Sequence, residues 1–144
     1  MSQTRLFASA AILLLGGTAA FAGDVTVKIS GFKNETGQAI VYLWKAPGEG
    51  FPSKTDKAAV NKVMPIKGTS MTVVFNDVAP GAYAVSLTHD ENSNGKMDTG
   101  FAGKPKEGYG ASNNPKNKLS APSFEQCKIM VDASGKAVDI DLRY

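Results

Sequence analysis

The run His89-Asp90-Glu91-Asn92-Ser93-Asn94-Gly95-Lys96-Met97-Asp98 sets side-chain oxygens at Asp90, Asn92, Asn94 and Asp98. This is the D-x-N-x-N-G-x-x-D spacing of the first nine positions of a calcium loop, with glycine at the sixth for the sharp turn. Ca²⁺ takes roughly six to eight oxygens at about 2.3–2.6 Å, so a short segment can wrap it only with alternate side chains and a backbone carbonyl. Here that carbonyl is Lys96's. The twelfth position, a bidentate glutamate in EF-hands, is Phe101, and the missing ligand has to come from Glu107 or from a backbone carbonyl. Of the side chains at ligand positions only Asp90 and Asp98 are charged, which predicts weak binding, on the order of 10⁻⁴ to 10⁻³ M. The metal-free alternative is a tight turn in which Asp90, Asn92 and Asn94 accept backbone N–H groups and Gly95 takes positive φ.

The segment continues through Gly103-Lys104-Pro105-Lys106-Glu107-Gly108-Tyr109-Gly110-Ala111-Ser112-Asn113-Asn114, glycines around one aromatic and several amides. Such a surface suits a polar ligand such as a sugar or a peptide, with Tyr109 as a stacking platform beside His89, Ser112, Asn113 and Asn114. The competing reading folds the loop back on a sheet edge with Tyr109 as its plug. His89 is the only histidine, and a hydrolase built on His89, Asp90 and Glu107 is the enzymatic alternative. No nucleophile elbow accompanies these residues, and one histidine with a distant Cys127 does not supply the three or four N or S ligands of a zinc site. No catalytic residue is assigned, and no cofactor other than Ca²⁺ is implied.

These residues need elements to position them. Apolar side chains recur at period two in short runs bounded by Gly, Pro, Asn and Asp, the pattern of strands. Val25, Val27 and Ile29 alternate with Thr26, Lys28 and Ser30, and Met71, Val73 and Phe75 with Thr72, Val74 and Asn76. The run Ala39–Trp44 is apolar on both faces, which predicts a central strand covered on each side. Lys57–Ile66 reads either as a short helix or, because of Pro65, as an edge strand. Tyr83, Val85 and Leu87 form a strand whose face His89 continues. The last two strands, Phe124–Val131 and Val138–Leu142, meet across Asp132-Ala133-Ser134-Gly135, with Cys127 on the face of Ile129 and Val131 as a buried thiol. Seven short antiparallel strands predict an all-β sandwich of two layers carrying one long functional loop, Asp90–Pro122. The terminal aromatic Tyr144 also suits an outer-membrane barrel, but the strands are too few and too short for one.

The N-terminus reads as a signal peptide. Arg5 precedes the apolar stretch Leu6–Leu15, and Ala20-Phe21-Ala22 fits a peptidase, which places cleavage between Ala22 and Gly23. Residues 1–22 are thus a leader and 23–144 one domain, exported to the periplasm or beyond, with no transmembrane segment after cleavage. The chain has 16 Lys and Arg against 13 Asp and Glu. The lysines are scattered, whereas nucleic-acid binding asks for a concentrated basic patch. With one cysteine no internal disulfide can form, so stability must come from the packed core.

Pro80-Gly81-Ala82-Tyr83-Ala84-Val85, the His89–Asp98 run, Pro105-Lys106-Glu107-Gly108-Tyr109-Gly110, Ser112-Asn113-Asn114 and Pro122-Ser123-Phe124-Glu125 together resemble a bacterial exported family known only as a domain of unknown function. The resemblance spans essentially all of residues 23–144. It implies export and a seven-stranded sandwich, and it brings no activity. The G-x-Y turn into a strand also resembles the transthyretin-like, carboxypeptidase-regulatory type of sandwich at the level of fold. The expected role is a non-enzymatic binding module of unknown ligand, with the 90–122 loop as its recognition surface. A structural envelope component, partnered by another protein, is the alternative.

Overall fold

A computed structural model describes residues 21–144. All but the last two residues of the expected leader therefore lie outside the described residues. Among the described residues, no helix is long and apolar enough to cross a membrane.

The chain folds into two sheets. One has three strands in the order β4 (Ser70–Val78), β1 (Gly23–Ser30), β8 (Lys136–Asp141). The other runs β3 (Val60–Pro65), β2 (Gln38–Lys45), β5 (Gly81–Asp90), β6 (Gly108–Ala111). A short strand β7 (Ile129–Val131) shares the far edge of β5 with β6, taking Gly81–Tyr83 while β6 takes Ser86–His89. The alternating residues do what period two requires. Val25, Val27 and Ile29 of β1, Val73 and Phe75 of β4, and Val138 and Ile140 of β8 bury against Ala39, Val41 and Leu43 of β2 and Val85 and Leu87 of β5.

The second sheet is covered on its other face too. Ile40, Tyr42 and Trp44 of β2 pack with Ala84, Ala111, Phe124 and Cys127, and with Phe51 and Ala58 of the 46–58 loop. Phe51 stacks edge-on against both Trp44 and Phe124. Trp44 places its indole N–H on Ser86 Oγ at 2.9 Å. The two-faced apolar run Ala39–Trp44 is thus the central strand its sequence predicts. Burial also raises the Tyr42 hydroxyl above its usual range.

Four expectations are corrected. There are eight strands, because Gly108–Ala111 forms β6 inside the segment read as one loop. Its glycines permit an approach that side chains would block: a Cβ on Gly108 would stand 2.5 Å from the Tyr144 ring, and one on Gly110 2.6 Å from Ile140. The strands are not all antiparallel, since β1 and β8 pair in parallel with Val27 opposite Val138. The strand expected to start at Phe124 starts at Ile129. Phe124–Cys127 is instead one helical turn (α1), held by a capping box between Ser123 and Gln126, which satisfies the turn's first amides. Cys127 consequently joins the outer cluster, apart from Ile129 and Val131. Over Lys57–Ile66, a 3₁₀ turn at Thr55–Lys57 precedes β3, an edge strand that ends at Pro65.

Cys127 is fully buried, and desolvation pushes its thiol up to about 11. At pH 8 only about one molecule in a thousand carries the reactive thiolate. The folded protein should therefore resist a thiol-specific disulfide reagent at pH 8 and react with one equivalent on addition of denaturant. Rapid reaction of the folded form would contradict this packing.

Candidate functional site

At the end of β5 the alternation points His89 into the core and Asp90 to the opposite face, both fully buried. The His89 ring lies edge-on to Phe32 and to Tyr144. Its Nε2 lies 2.7 Å from the Thr36 carbonyl and its Nδ1 2.6 Å from the Tyr144 hydroxyl. A carbonyl only accepts, so Nε2 carries the hydrogen. The Tyr144 hydroxyl accepts the Lys33 backbone N–H at 3.2 Å, leaving its own hydrogen for Nδ1. Both ring nitrogens are committed, and the lysine above closes the arrangement: Lys33 Nζ sits 4.5 Å over the Tyr144 ring and 2.9 Å from Glu91. That hydrogen bond from Lys33 holds the Glu91 carboxyl below the usual carboxylate range.

Asp90 is a hub for amides. Oδ1 accepts Asn94 N–H at 3.1 Å, and Oδ2 accepts Gly95 N–H and Gln38 Nε2, both at 2.8 Å. Gly95 takes φ +81, as the sixth position of such a turn requires. Glu107, also buried, accepts Glu91 N–H through Oε1 and Asp98 N–H through Oε2, each at 2.9 Å. Glu107 thereby ties the second and ninth residues of the turn together across its mouth. His89, Asp90 and Glu107 share no hydrogen bond with one another.

The three remaining side chains of the calcium-like spacing do come together. Asn92 Nδ2 is 2.5 Å from Asp98 Oδ2, and Asn94 Nδ2 is 2.8 Å from Asp98 Oδ1. Their amide oxygens serve the turn, with Asn92 accepting Asn94 N–H and Asn94 accepting Lys96 N–H. Among the described residues no three acidic, histidine or cysteine side chains gather as metal ligands. A cation here would rest on Asp98 and on the Asn92 and Asn94 amides turned end for end, an orientation that only the hydrogen-bond network assigns.

The amides downstream are structural fasteners. Ser112 is fully buried, its hydroxyl accepting Val85 N–H at 3.0 Å. Asn113 donates to the carbonyls of Gln126 and Lys128. Asn114 donates to Asp139 O and accepts Asp141 N–H, so the 112–114 segment welds β6 to α1 and β8. Tyr109 is half-buried, its backbone bridged to Arg143. Exposed polar side chains concentrate instead between Asn92 and Lys106. Sequence reasoning missed Thr36, Gln38 and Tyr144 as members of this site. Tyr144 carried a signal, an aromatic closing the last alternating run, but nothing local says that it caps His89.

A family model described as an uncharacterized protein conserved in bacteria (DUF2141) matches residues 27–139. No curated protein and no solved structure matches the chain.

Removing the Tyr144 hydroxyl leaves His89 Nδ1 buried without a donor, at a cost of about 1–3 kcal/mol. Tyr144→Phe should lower stability by that amount in urea unfolding at pH 7.5. A change below about 0.5 kcal/mol, the scatter of neutral surface substitutions, would show that the hydroxyl is not needed there.

Proposed function

We propose that this chain, which belongs to the bacterial family DUF2141, is an exported, non-enzymatic binding module that presents the Asn92–Lys106 segment to a polar ligand. One observation carries the reading. The groups able to do chemistry near the segment are spent on holding it: the polar atoms of His89, Asp90, Glu107 and Ser112 all have partners in the backbone or in Gln38 and Tyr144. An acid, base or nucleophile has to reach a substrate, whereas a recognition loop needs a rigid frame beneath exposed side chains. Tyr109 joins the exposed set as a half-buried platform. The sandwich is read as transthyretin-like on the strength of the Pro80-Gly81-Ala82-Tyr83 turn into β5.

A glycan microarray of bacterial surface saccharides tests this role. The protein beginning at Gly23 should mark a subset of saccharides and release them unchanged, and Asn92→Ala with Tyr109→Ala should weaken that binding at least about tenfold, the loss of one good contact. Turnover of a saccharide that disappears in Glu107→Gln would overturn the non-enzymatic reading.

A second reading, that Ca²⁺ organises the segment, is favoured by the convergence of Asn92 and Asn94 on Asp98. At ten times the dissociation constant the ion adds about 1.4 kcal/mol, or about 5 °C in melting temperature for a domain of this size. Asp98 is the informative control, since its loss spares the buried frame around Asp90. Millimolar Ca²⁺ should raise the melting temperature of the native sequence and leave Asp98→Ala unmoved. An unchanged melting temperature at about 10 mM, ten times the weakest expected constant, sinks the calcium reading without touching the binding role.

A further inference from the structure

Within the Asn92–Lys106 segment, between the turn and β6, the chain makes a small finger whose apolar tip a polar ligand does not account for. Thr99 bridges Pro105, Lys106 N–H bonds to Asp98 O at 2.8 Å, and Gly100 N–H bonds to Lys104 O at 2.7 Å. The tip is a tight turn over Phe101–Gly103, with left-handed backbone at Ala102, φ +56, and Gly103, φ +71. Left-handed backbone is unfavourable for alanine, so this conformation is held by the bonds around it. Its effect is to aim Phe101 into solvent, where the residue is 95% exposed. Lys104 and Lys106 stand on the finger's returning arm and Lys96 two residues before its base, all exposed. Among the described residues the ion pairs are Lys33 with Glu91 and Lys128 with Glu125, and the three finger lysines have none. The adjacent carboxylates are occupied, Asp98 by the Asn92 and Asn94 amides and Glu107 by backbone N–H groups.

We propose that this finger is a membrane-contact site: Phe101 enters the headgroup region of an anionic phospholipid bilayer while Lys96, Lys104 and Lys106 pair with the lipid phosphates. A lone exposed aromatic by itself needs no explanation. This one is presented by a closed, strained turn on a segment whose lysines have no ion pair, the combination of apolar tip and free cationic groups that binds bilayer interfaces. A folded protein partner fits less well, since a stable protein interface needs roughly 1,200 Å² or more and a protruding tip of one side chain offers a small part of that. A bilayer accepts a single inserted ring and adds about fivefold in affinity for each lysine near its surface. Leu119, 99% exposed and next to Lys116 and Lys118, repeats the chemistry on a second loop.

Co-sedimentation of the protein beginning at Gly23 with vesicles of equal parts phosphatidylglycerol and phosphatidylcholine tests the proposal, with pure phosphatidylcholine vesicles as the neutral arm. The native sequence should sediment with the anionic vesicles alone and be released by about 0.5 M salt, where the screening length falls below about 5 Å. Phe101→Ser should cut partitioning about tenfold. Lys104→Glu with Lys106→Glu should cut it at least about 25-fold. The substituted side chains are exposed, and an unchanged melting temperature verifies that each variant is folded. Phe101→Trp should show a blue-shifted emission on anionic vesicles, which the buried Trp44 does not produce. Failure to sediment with anionic vesicles overturns the proposal, and so does equal sedimentation of Phe101→Ser and the native sequence. Self-association abolished by Phe101→Ser, without sedimentation, would assign the finger to a second copy of the chain and equally overturn it. None of these outcomes depends on saccharide or Ca²⁺ binding.

Discussion

Two carboxylates, Asp90 and Glu107, are buried where β5 passes into the loop, among the described residues neither forms a salt bridge, and the backbone between β5 and β6 is arranged around their oxygens. A buried carboxylate costs several kcal/mol unless its oxygens are filled. Here they are filled by the N–H groups of Glu91, Asn94, Gly95 and Asp98 and by the Gln38 amide. Each of those bonds fixes a stretch of backbone. The loop is therefore rigid for an electrostatic reason, and its exposed side chains are presented from a frame set by buried charge.

The 31–37 segment braces this frame from the other sheet's end. Thr36 takes the His89 N–H, Asn34 reaches Glu91, and Glu35 accepts Gly68 N–H. Gly37 is obligatory in this brace: its φ is +75, and a Cβ there would stand 2.1 Å from Asp90 O. Lys33 adds its salt bridge to Glu91 and its contact with the Tyr144 ring. Four parts of the chain far apart in sequence, near residues 34, 68, 90 and 144, are thus joined at one corner.

Period-two alternation made β1, β2, β4 and β5 legible, because each has one face, or in β2 both faces, pressed into a core. It could not reveal β6, since Gly-Tyr-Gly-Ala has no apolar alternation and becomes a strand only by pairing with β5. Nor could it separate α1 from β7. Cys127 alternates acceptably with Ile129 and Val131, and what distinguishes a turn of helix is the Ser123 capping box and the three-residue spacing of Phe124 and Cys127. The parallel partner of β1 was hidden for a similar reason, because strand order is decided by long-range packing. At the site, the D-x-N-x-N-G spacing legibly implied a tight turn with positive φ at Gly95. The assignment of Glu107 to backbone amides, and of Tyr144 to His89, depends on contacts 9 to 55 residues apart that no local pattern encodes.

The pairing of β1 with β8 sets an order of events. Ser30 meets Asp141 across 111 residues of sequence, and β1 has no second neighbour in its sheet until β8 arrives. Contacts of such separation make folding slow, because the intervening chain must be closed before they return any stabilisation. During synthesis the three-stranded sheet cannot be assembled from the ribosome outward; it waits for the last strand, and the His89 socket waits for Tyr144. Until residues 136–144 are in place, one edge of β1 is open and the His89 socket lacks its Tyr144 side.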